Sequence, residues 1–229
     1  MAHYTDVDVV PVDASFAEGR YAEAGGTDGV YRRGLKRAFD CLAVLLAAPI
    51  VLPAILLLGL IIRRDGGAVF YSQTRIGLNG RSFRIWKLRS MTVGADRLLA
   101  AHLAADPAAR AEWETTQKLK DDPRVTTIGR LIRKNSLDEL PQLWNVLRGD
   151  MSLVGPRPMM PDQTPLYPGS AYYGLRPGVT GFWQISRRNG TSFASRAAYD
   201  SKYARRLSFG TDLRVLFATV RVVLRGTGY

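Results

Sequence analysis

Histidine and cysteine are almost missing from this chain of 229 residues. Cys41 stands alone, so a disulfide framework is excluded; with no second cysteine and no histidine near it in sequence, a zinc site is disfavoured too. One thiol and no disulfide fit a reducing cytosol. The two histidines, His3 and His102, leave little material for a histidine base or a Ser-His-Asp arrangement. Neither G-x-x-x-x-G-K-[ST] nor G-x-G-x-x-G occurs, which removes the usual glycine loops for nucleotide phosphates, and no internal repeat is evident.

Acids are scarce as well, 20 against 32 Lys and Arg, for a net charge of +12. They are unevenly placed. Residues 1–30 hold six acids against Arg20, a balance of −5, so residues 31–229 carry +17 of the total. The length suits one compact domain with appendages. The acidic leader, with Gly25-Gly26 and little apolar periodicity, is expected to be disordered. A basic body calls for an anionic partner: nucleic acid, a lipid surface or a phosphorylated small molecule.

Residues 31–65 form the second segment. From Cys41 to Ile62 no side chain is charged and fourteen are Leu, Ile or Val. At ~1.5 Å per residue this run makes a helix of ~33 Å, enough for a hydrocarbon core of ~30 Å. Two features argue against a simple span. Arg32, Arg33, Lys36 and Arg37 precede the run and Arg63 and Arg64 follow it, so both ends favour the cytosolic side. Pro49 and Pro53 lie near the middle and cost ~3 kcal/mol each, against ~4–8 kcal/mol for inserting fourteen apolar side chains. The expectation is a re-entrant helix-break-helix that dips into one leaflet, with Pro49 and Pro53 as the membrane break; a single bitopic span is the alternative.

Residues 66–229 read as a cytosolic α+β domain. Ala68–Gln73 and Ser82–Leu88 read as strands of a β-hairpin about the Gly77-Leu-Asn-Gly80 turn. Residues 93–120 read as helix interrupted near Asp106-Pro107, and Arg124–Arg133 as a short apolar-basic element. Gly155-Pro-Arg-Pro158 fixes Arg157 on stiff backbone. In residues 212–225, Leu213, Leu216, Phe217, Val220, Val223 and Leu224 are assigned to one helical face, with Arg214, Arg221 and Arg225 elsewhere; such a helix covers a core or lies in a membrane interface.

The chemistry points to Asp138 and Glu139. Arg130, Arg133 and Lys134 precede this pair, and Arg148 and Arg157 follow. A carboxylate attacks a phosphorus bearing negative oxygens only when cations neutralise them, which is what such surroundings supply. The same residues also admit a structural reading, because Ser136-Leu-Asp-Glu139 has the form of a capping box. Pro141 fits that reading poorly. It fits better as the first residue of a helix running to about Arg148 with Gly149 just beyond, which leaves the acids in the entering loop.

Four stretches together resemble the bacterial sugar transferase family, the small monotopic polyprenol-phosphate phosphoglycosyl transferases: Lys36-Arg-Ala-Phe-Asp40, Phe83-Arg-Ile-Trp-Lys-Leu-Arg-Ser-Met91, Ser136 to Pro158, and Arg176-Pro-Gly-Val-Thr-Gly181. The resemblance implies transfer of a sugar 1-phosphate from a UDP-sugar to undecaprenyl phosphate with release of UMP, as the first step of exopolysaccharide assembly at the cytosolic face of the bacterial inner membrane. It implies Mg2+ as cofactor, held at Asp138 and Glu139, with Asp138 as nucleophile and Glu139 as its partner. Arg133 matches a phosphate-binding arginine, and Lys87, Arg157, Arg188 and Asp200 sit at matching substrate-site positions. Inner-membrane lipid is an implied partner, nucleic acid is not, and a homo-oligomer is left open. Lys120-Asp-Asp-Pro-Arg124 and the ending Leu224–Tyr229 look most like the exopolysaccharide-initiating branch, hence galactose or glucose. Where the family has Ser-Pro at the helix break, this chain has Leu52-Pro53, with Pro49 in addition. The rival readings are a membrane-tethered basic adaptor without catalysis, and a phosphohydrolase in which water resolves the aspartyl intermediate.

Overall fold

A computed structural model describes residues 29–116, 119–186 and 193–224. Nearly all of the acidic leader, Arg188 and residues 225–229 lie outside the described residues. The expected α+β class holds: among the described residues helices predominate, with two sheets of two strands each. The chain divides into two compact units that interleave in sequence. One comprises the described residues of Met1–Leu46, with Ser72–Ile85 and Gln142–Arg221; the other comprises Ala47–Tyr71, Trp86–Pro141 and the described residues from Val222.

The long apolar segment is helical from Tyr31 to Asp65 and is the one described helix long and apolar enough to cross a membrane. It opens with a π-turn, Tyr31–Leu35, continues as α1, Lys36–Ile62, and closes in a 3-10 turn, Arg63–Asp65. Gly66 follows at φ 81, a left-handed position that ends the helix. Leu45, Leu46, Ile50, Leu52, Leu56, Leu57 and Leu60 are exposed, as a lipid-facing surface requires. The expected break does not interrupt the helical backbone, for Pro49 and Pro53 both lie inside α1. The prolines are four apart, so Pro53 deprives the carbonyl of Pro49 of its donor and Pro49 that of Leu45. Both defects fall on one side of the helix, and the hydrogen bonds on its other sides can persist.

The hairpin forms as expected with its first strand shifted: β1, Phe70–Ile76, pairs with β2, Ser82–Leu88. Asn79 takes φ 56 in the turn, a conformation asparagine tolerates better than most residues. The interrupted helix is α2, Ala95–Ala105, and α3, Pro107–Thr116. Asp106 makes the interruption, its Oδ1 accepting from the amides of Ala108 and Ala109 while Pro107 takes the first helical position. The short basic element is α4, Thr127–Lys134, capped by Thr126 Oγ1 accepting from Gly129 N at 2.9 Å. Helix α5, Gln142–Arg148, starts one residue after Pro141, and Gly149 closes it at φ 91.

Two short parallel strands were not expected: β3, Ser152–Val154, and β4, Gly178–Thr180. Three residues carry too little alternation to read as a strand. What permits their approach is glycine, since a Cβ on Gly155 would lie 2.3 Å from Arg176 O and one on Gly178 would lie 2.1 Å from Gly155 N. Gly155 therefore sets the backbone that carries Arg157. Helices α6, Phe182–Ile185, α7, Arg196–Arg206, and α8, Phe209–Leu224, complete the described chain.

The first unit packs Val44, Ile85, Val146, Met151, Val154, Tyr203 and Val215 into its main core. The second packs Ile62, Leu88 and Ile132, with Leu137 against them. Helix α8 divides the apolar face assigned to it. Its inward side carries Asp212, Val215 and Leu216, with Thr219 Oγ1 at 2.7 Å from Thr180 Oγ1, whereas Phe217 and Val220 are exposed. Asp212 decides this. It is fully buried, and receives hydrogen bonds from Lys36, Tyr31 and Tyr203, so the side it occupies must face inward.

Candidate functional site

The acidic pair stands in a 3-10 turn, Leu137–Glu139, that follows α4. Ser136 precedes it at φ 55 and its side chain makes no capping hydrogen bond, so the capping-box reading does not hold. A left-handed non-glycine residue costs about 1–2 kcal/mol, and here it turns the chain sharply between helix and acids. Leu137, partly buried, packs against the apolar cluster of Ile62, Leu88 and Ile132. That anchor holds the turn while Asp138 beside it is only 8% exposed.

Lys87 reaches the pair from β2. Its Nζ lies 2.8 Å from Glu139 Oε1 and 3.5 Å from Asp138 Oδ2, one cation bridging two carboxylates. Burial raises Asp138 above the ordinary carboxylate range, Lys87 opposes that, and the charge of Glu139 adds to it. The cations Lys87 and Arg133 thus favour the ionised form of Asp138 against its burial. Arg133 is itself pulled below its usual value by burial and held up by Asp138 and Asp122.

The sequence reading missed what holds Arg133. Its Nε donates to Ser90 Oγ at 2.7 Å. The Ser90 carbonyl in turn accepts from Thr126 N at 3.1 Å, and Gly129 lies so close that a Cβ there would be 2.0 Å from that oxygen. Ser90 belonged to a matched stretch, but hydroxyls are too common for the sequence to single one out. Lys120–Arg124, read only as a mark of one branch, contains a buried ion pair: Asp122 accepts from both Nε and Nη2 of Arg124, whose guanidinium lies 5.0 Å from the Trp113 ring centre.

Of the anticipated site residues, Lys87, Arg133, Asp138 and Glu139 come together in one unit. Arg157 and Asp200 belong to the other unit, and Arg188 lies outside the described residues. Arg157 lies over the Trp183 ring at 5.7 Å. Asp200 accepts from Tyr167 Oη at 2.8 Å, and burial pushes its carboxyl up to about 7.

Two adjacent carboxylates fit a hard divalent cation such as magnesium, which takes one or two carboxylates and completes its shell with phosphate oxygens and water. Asp138 and Glu139 are the two carboxylates that could serve such an ion here, where Lys87 now bridges them; among the described residues no group of three or more His, Cys, Asp or Glu converges. The arrangement as a whole can present a carboxylate to a phosphorus atom and neutralise the oxygens around it.

The sequence profile of the bacterial sugar transferase family matches residues 31–226. The chain is 48% identical over 198 residues to the UDP-galactose-lipid carrier transferase of Erwinia amylovora, covering 86% of this chain and 42% of that protein. It is 48% identical over 196 residues to the exopolysaccharide production protein ExoY of Sinorhizobium fredii, covering 84% and 87% respectively. It is 46% identical over 198 residues to the undecaprenyl-phosphate galactose phosphotransferase of Salmonella typhimurium, covering 86% and 42%. The chain thus spans about two fifths of the first and third of these relatives and most of the second.

Proposed function

The chain belongs to the bacterial sugar transferase family, and from that premise we propose that it is a phosphoglycosyl transferase moving a hexose 1-phosphate from a UDP-sugar to undecaprenyl phosphate. The observation that carries this reading is the buried Asp138 beside Glu139, bridged by Lys87, with Arg133 in its electrostatic field. A carboxylate oxygen of Asp138 attacks the sugar-bearing phosphorus of the donor. The bond from that phosphorus to the bridging oxygen breaks and UMP leaves with the oxygen, giving a phosphoglycosyl-aspartate. A phosphate oxygen of the acceptor then attacks the same phosphorus and displaces the Asp138 carboxylate. No histidine is needed, because a phosphate monoester with a second pKa of ~6 arrives largely deprotonated. Magnesium, when bound at the carboxylates, supplies charge neutralisation of the diphosphate. Lys87 and Arg133 stabilise the anionic oxygens as charge shifts toward UMP.

The test is incubation with magnesium and a UDP-sugar, without lipid acceptor, followed by intact-protein mass spectrometry. UDP-galactose is tried first, since two of the similar proteins are named for galactose. One hexose phosphate of added mass that disappears on addition of undecaprenyl phosphate is the expected result. Free sugar phosphate accumulating without acceptor would favour hydrolysis, and no adduct across a panel of UDP-sugars would favour the adaptor reading.

Ser90→Ala tests the positioning of Arg133. Loss of one hydrogen bond that orients a guanidinium is expected to lower kcat/KM for the donor about tenfold, roughly 1.4 kcal/mol, through KM more than kcat. Unchanged donor KM would remove Ser90 from the site.

The membrane segment is proposed to be re-entrant at the cytosolic face of the inner membrane. Arg37, at its start, donates to the carbonyls of Val146 and Leu147, and Asn145 donates to Arg84 O at 2.7 Å. Residues 37 and 84 therefore share one side of a bilayer, although α1 lies between them in the chain. A full span would require the chain to cross back between Ile62 and Arg84, where no helix of sufficient length is described. The exposed Phe217 and Val220, with Arg214 and Arg221 exposed beside them, suit α8 to the interface of the same leaflet. In a Cys41→Ser background, Gly34→Cys and Ala68→Cys should both react from the cytosolic side only; labelling from opposite sides would establish a bitopic span.

A further inference from the structure

Within the first unit, the hairpin turn and the corner after α5 border a cavity of about 280 Å³ that the proposed chemistry does not use. Arg81, Ser82, Phe83, Asp150 and Arg176 line it, and both arginines are exposed. Among the described residues the Arg81 side chain has no hydrogen bond or ion pair, and that of Arg176 has one hydrogen bond, from Nε to Gly149 O at 3.0 Å. Asp150 is engaged through Oδ2, by Asn145 Nδ2 at 3.2 Å and Arg148 Nε at 3.5 Å. The lining is thus two cations about one acid, beside one aromatic ring.

The chain emerges from residues 1–28, outside the described residues, next to this cavity. Arg32 N donates to Gly29 O at 3.0 Å, and Arg32 Nη2 donates to Gly174 O at 3.3 Å. Beside Gly174, the Tyr173 carbonyl accepts at 2.9 Å from the amide of Asn79, another lining residue, and Arg176 stands two positions on. We propose that the acidic leader folds back on its own unit and that its segment Glu18-Gly-Arg-Tyr-Ala-Glu23 occupies this cavity, with the two carboxylates on Arg81 and Arg176. The inference goes beyond the transferase reading and does not rest on it. Glu23 and Glu18 precede Gly29 by six and eleven residues, which as extended chain reach up to ~20 and ~37 Å. The segment mirrors the lining: two acids flank Arg20 and Tyr21, against two arginines beside Asp150 and Phe83. An arginine fork matches a carboxylate through paired N–H bonds. Pockets for free small molecules run to ~300–1,000 Å³, so a volume of about 280 Å³ suits a few side chains better than a nucleotide. Exposed ion pairs are weak, but a tether this short holds its carboxylates at an effective concentration of ~mM, and weak pairs then suffice. The opposite charges of leader and body, −5 and +17, favour the same approach.

The test is disulfide trapping in the full-length protein in detergent, in a Cys41→Ser background. Ala22→Cys is paired with Ser82→Cys at the cavity or, as a control, with Gly210→Cys. Gly210 has open space around it and adjoins Phe209, whose ring centre lies 6.0 Å from that of Tyr31, so the control is also near the point where the leader joins. The cavity pair is expected to cross-link about fivefold faster than the control at low salt and no faster at about 1 M salt, where the screening length is ~3 Å. Arg81→Glu with Arg176→Glu should abolish this advantage, and adding Glu18→Arg with Glu23→Arg should restore it. Equal rates for the two cysteine pairs overturn the proposal, as does an advantage that survives reversal of both arginines. If the reversals leave trapping unchanged but weaken binding of inorganic phosphate to the full-length protein, the cavity serves a free anion and the proposal is likewise overturned. If Arg176→Glu does not fold, having lost its bond to Gly149, Arg81→Glu is read alone with Glu23→Arg as its rescue; the same loss and recovery are expected, and a rate unmoved by Arg81→Glu overturns the docking.

Discussion

Asp138→Asn is expected to reduce transfer to background, a loss of about 10⁴-fold or more, while the protein stays folded. The substitution retains the shape of the side chain and removes the carboxylate that the proposed mechanism uses as nucleophile, so under that mechanism the first bond to phosphorus cannot form. Folding should survive for a physical reason. The carboxylate is 8% exposed and burial raises its pKa, so a neutral amide relieves part of a desolvation cost. The turn that carries it is held by Leu137 against the apolar cluster and does not depend on the acid. Mass spectrometry after incubation with UDP-galactose should find no adduct on the variant, and its thermal midpoint should match or exceed that of wild type. An adduct of wild-type yield would place the covalent bond elsewhere, and Glu139 would be the next oxygen to test.

Lys87→Met has the second largest expected effect, and the effect is pH-dependent. Lys87 bridges both carboxylates, at 2.8 Å from Glu139 and 3.5 Å from Asp138. Burial and the charge of Glu139 raise the pKa of Asp138, while Lys87 lowers it. Removing the ammonium leaves the raising influences with less opposition, so Asp138 protonates at higher pH. Since the proposed nucleophile is the ionised form, the acid limb of kcat/KM should move to higher pH, with the deepest loss below neutrality and partial recovery as pH rises. At neutral pH a loss of about 10²-fold is expected from the weaker nucleophile and a less neutralised phosphate. A drop of equal size at every pH, with the acid limb unmoved, would mean that Lys87 acts on the substrate alone.

The placing of the acidic pair in the loop entering a helix was legible from Pro141 and Gly149, whereas its proposed role came from the family resemblance, since the residues alone also admitted a capping box. The hairpin was legible from its turn residues, and the split of α2 from α3 from Asp106-Pro107. The partners of these elements were not. Ser90 and Gly129 gain their roles only when β2 and α4 meet, at a spacing where a glycine hydrogen is all that fits against the Ser90 carbonyl. The apolar face of α8 left core and membrane interface both open, and the structure divides it: Asp212, buried against Tyr31, Lys36 and Tyr203, turns its own side inward and leaves Phe217 and Val220 exposed.

By itself the sequence determined which side chains the proposed chemistry has to draw on and roughly where its local elements begin and end. With two histidines and one cysteine in the chain, the proposed phosphate chemistry draws on carboxylates and cations, and that limit is set by composition before any fold exists. Turn residues, caps and the long apolar run act over a few positions, so they too are local. The tertiary structure alone decided how strongly the acids are desolvated, which cation faces them, and which arginines lie over aromatic rings. Those properties depend on distance and burial between residues far apart in the chain, such as Lys87 with Asp138 and Arg157 with Arg196, and no sequence pattern carries the electrostatic balance at such a contact.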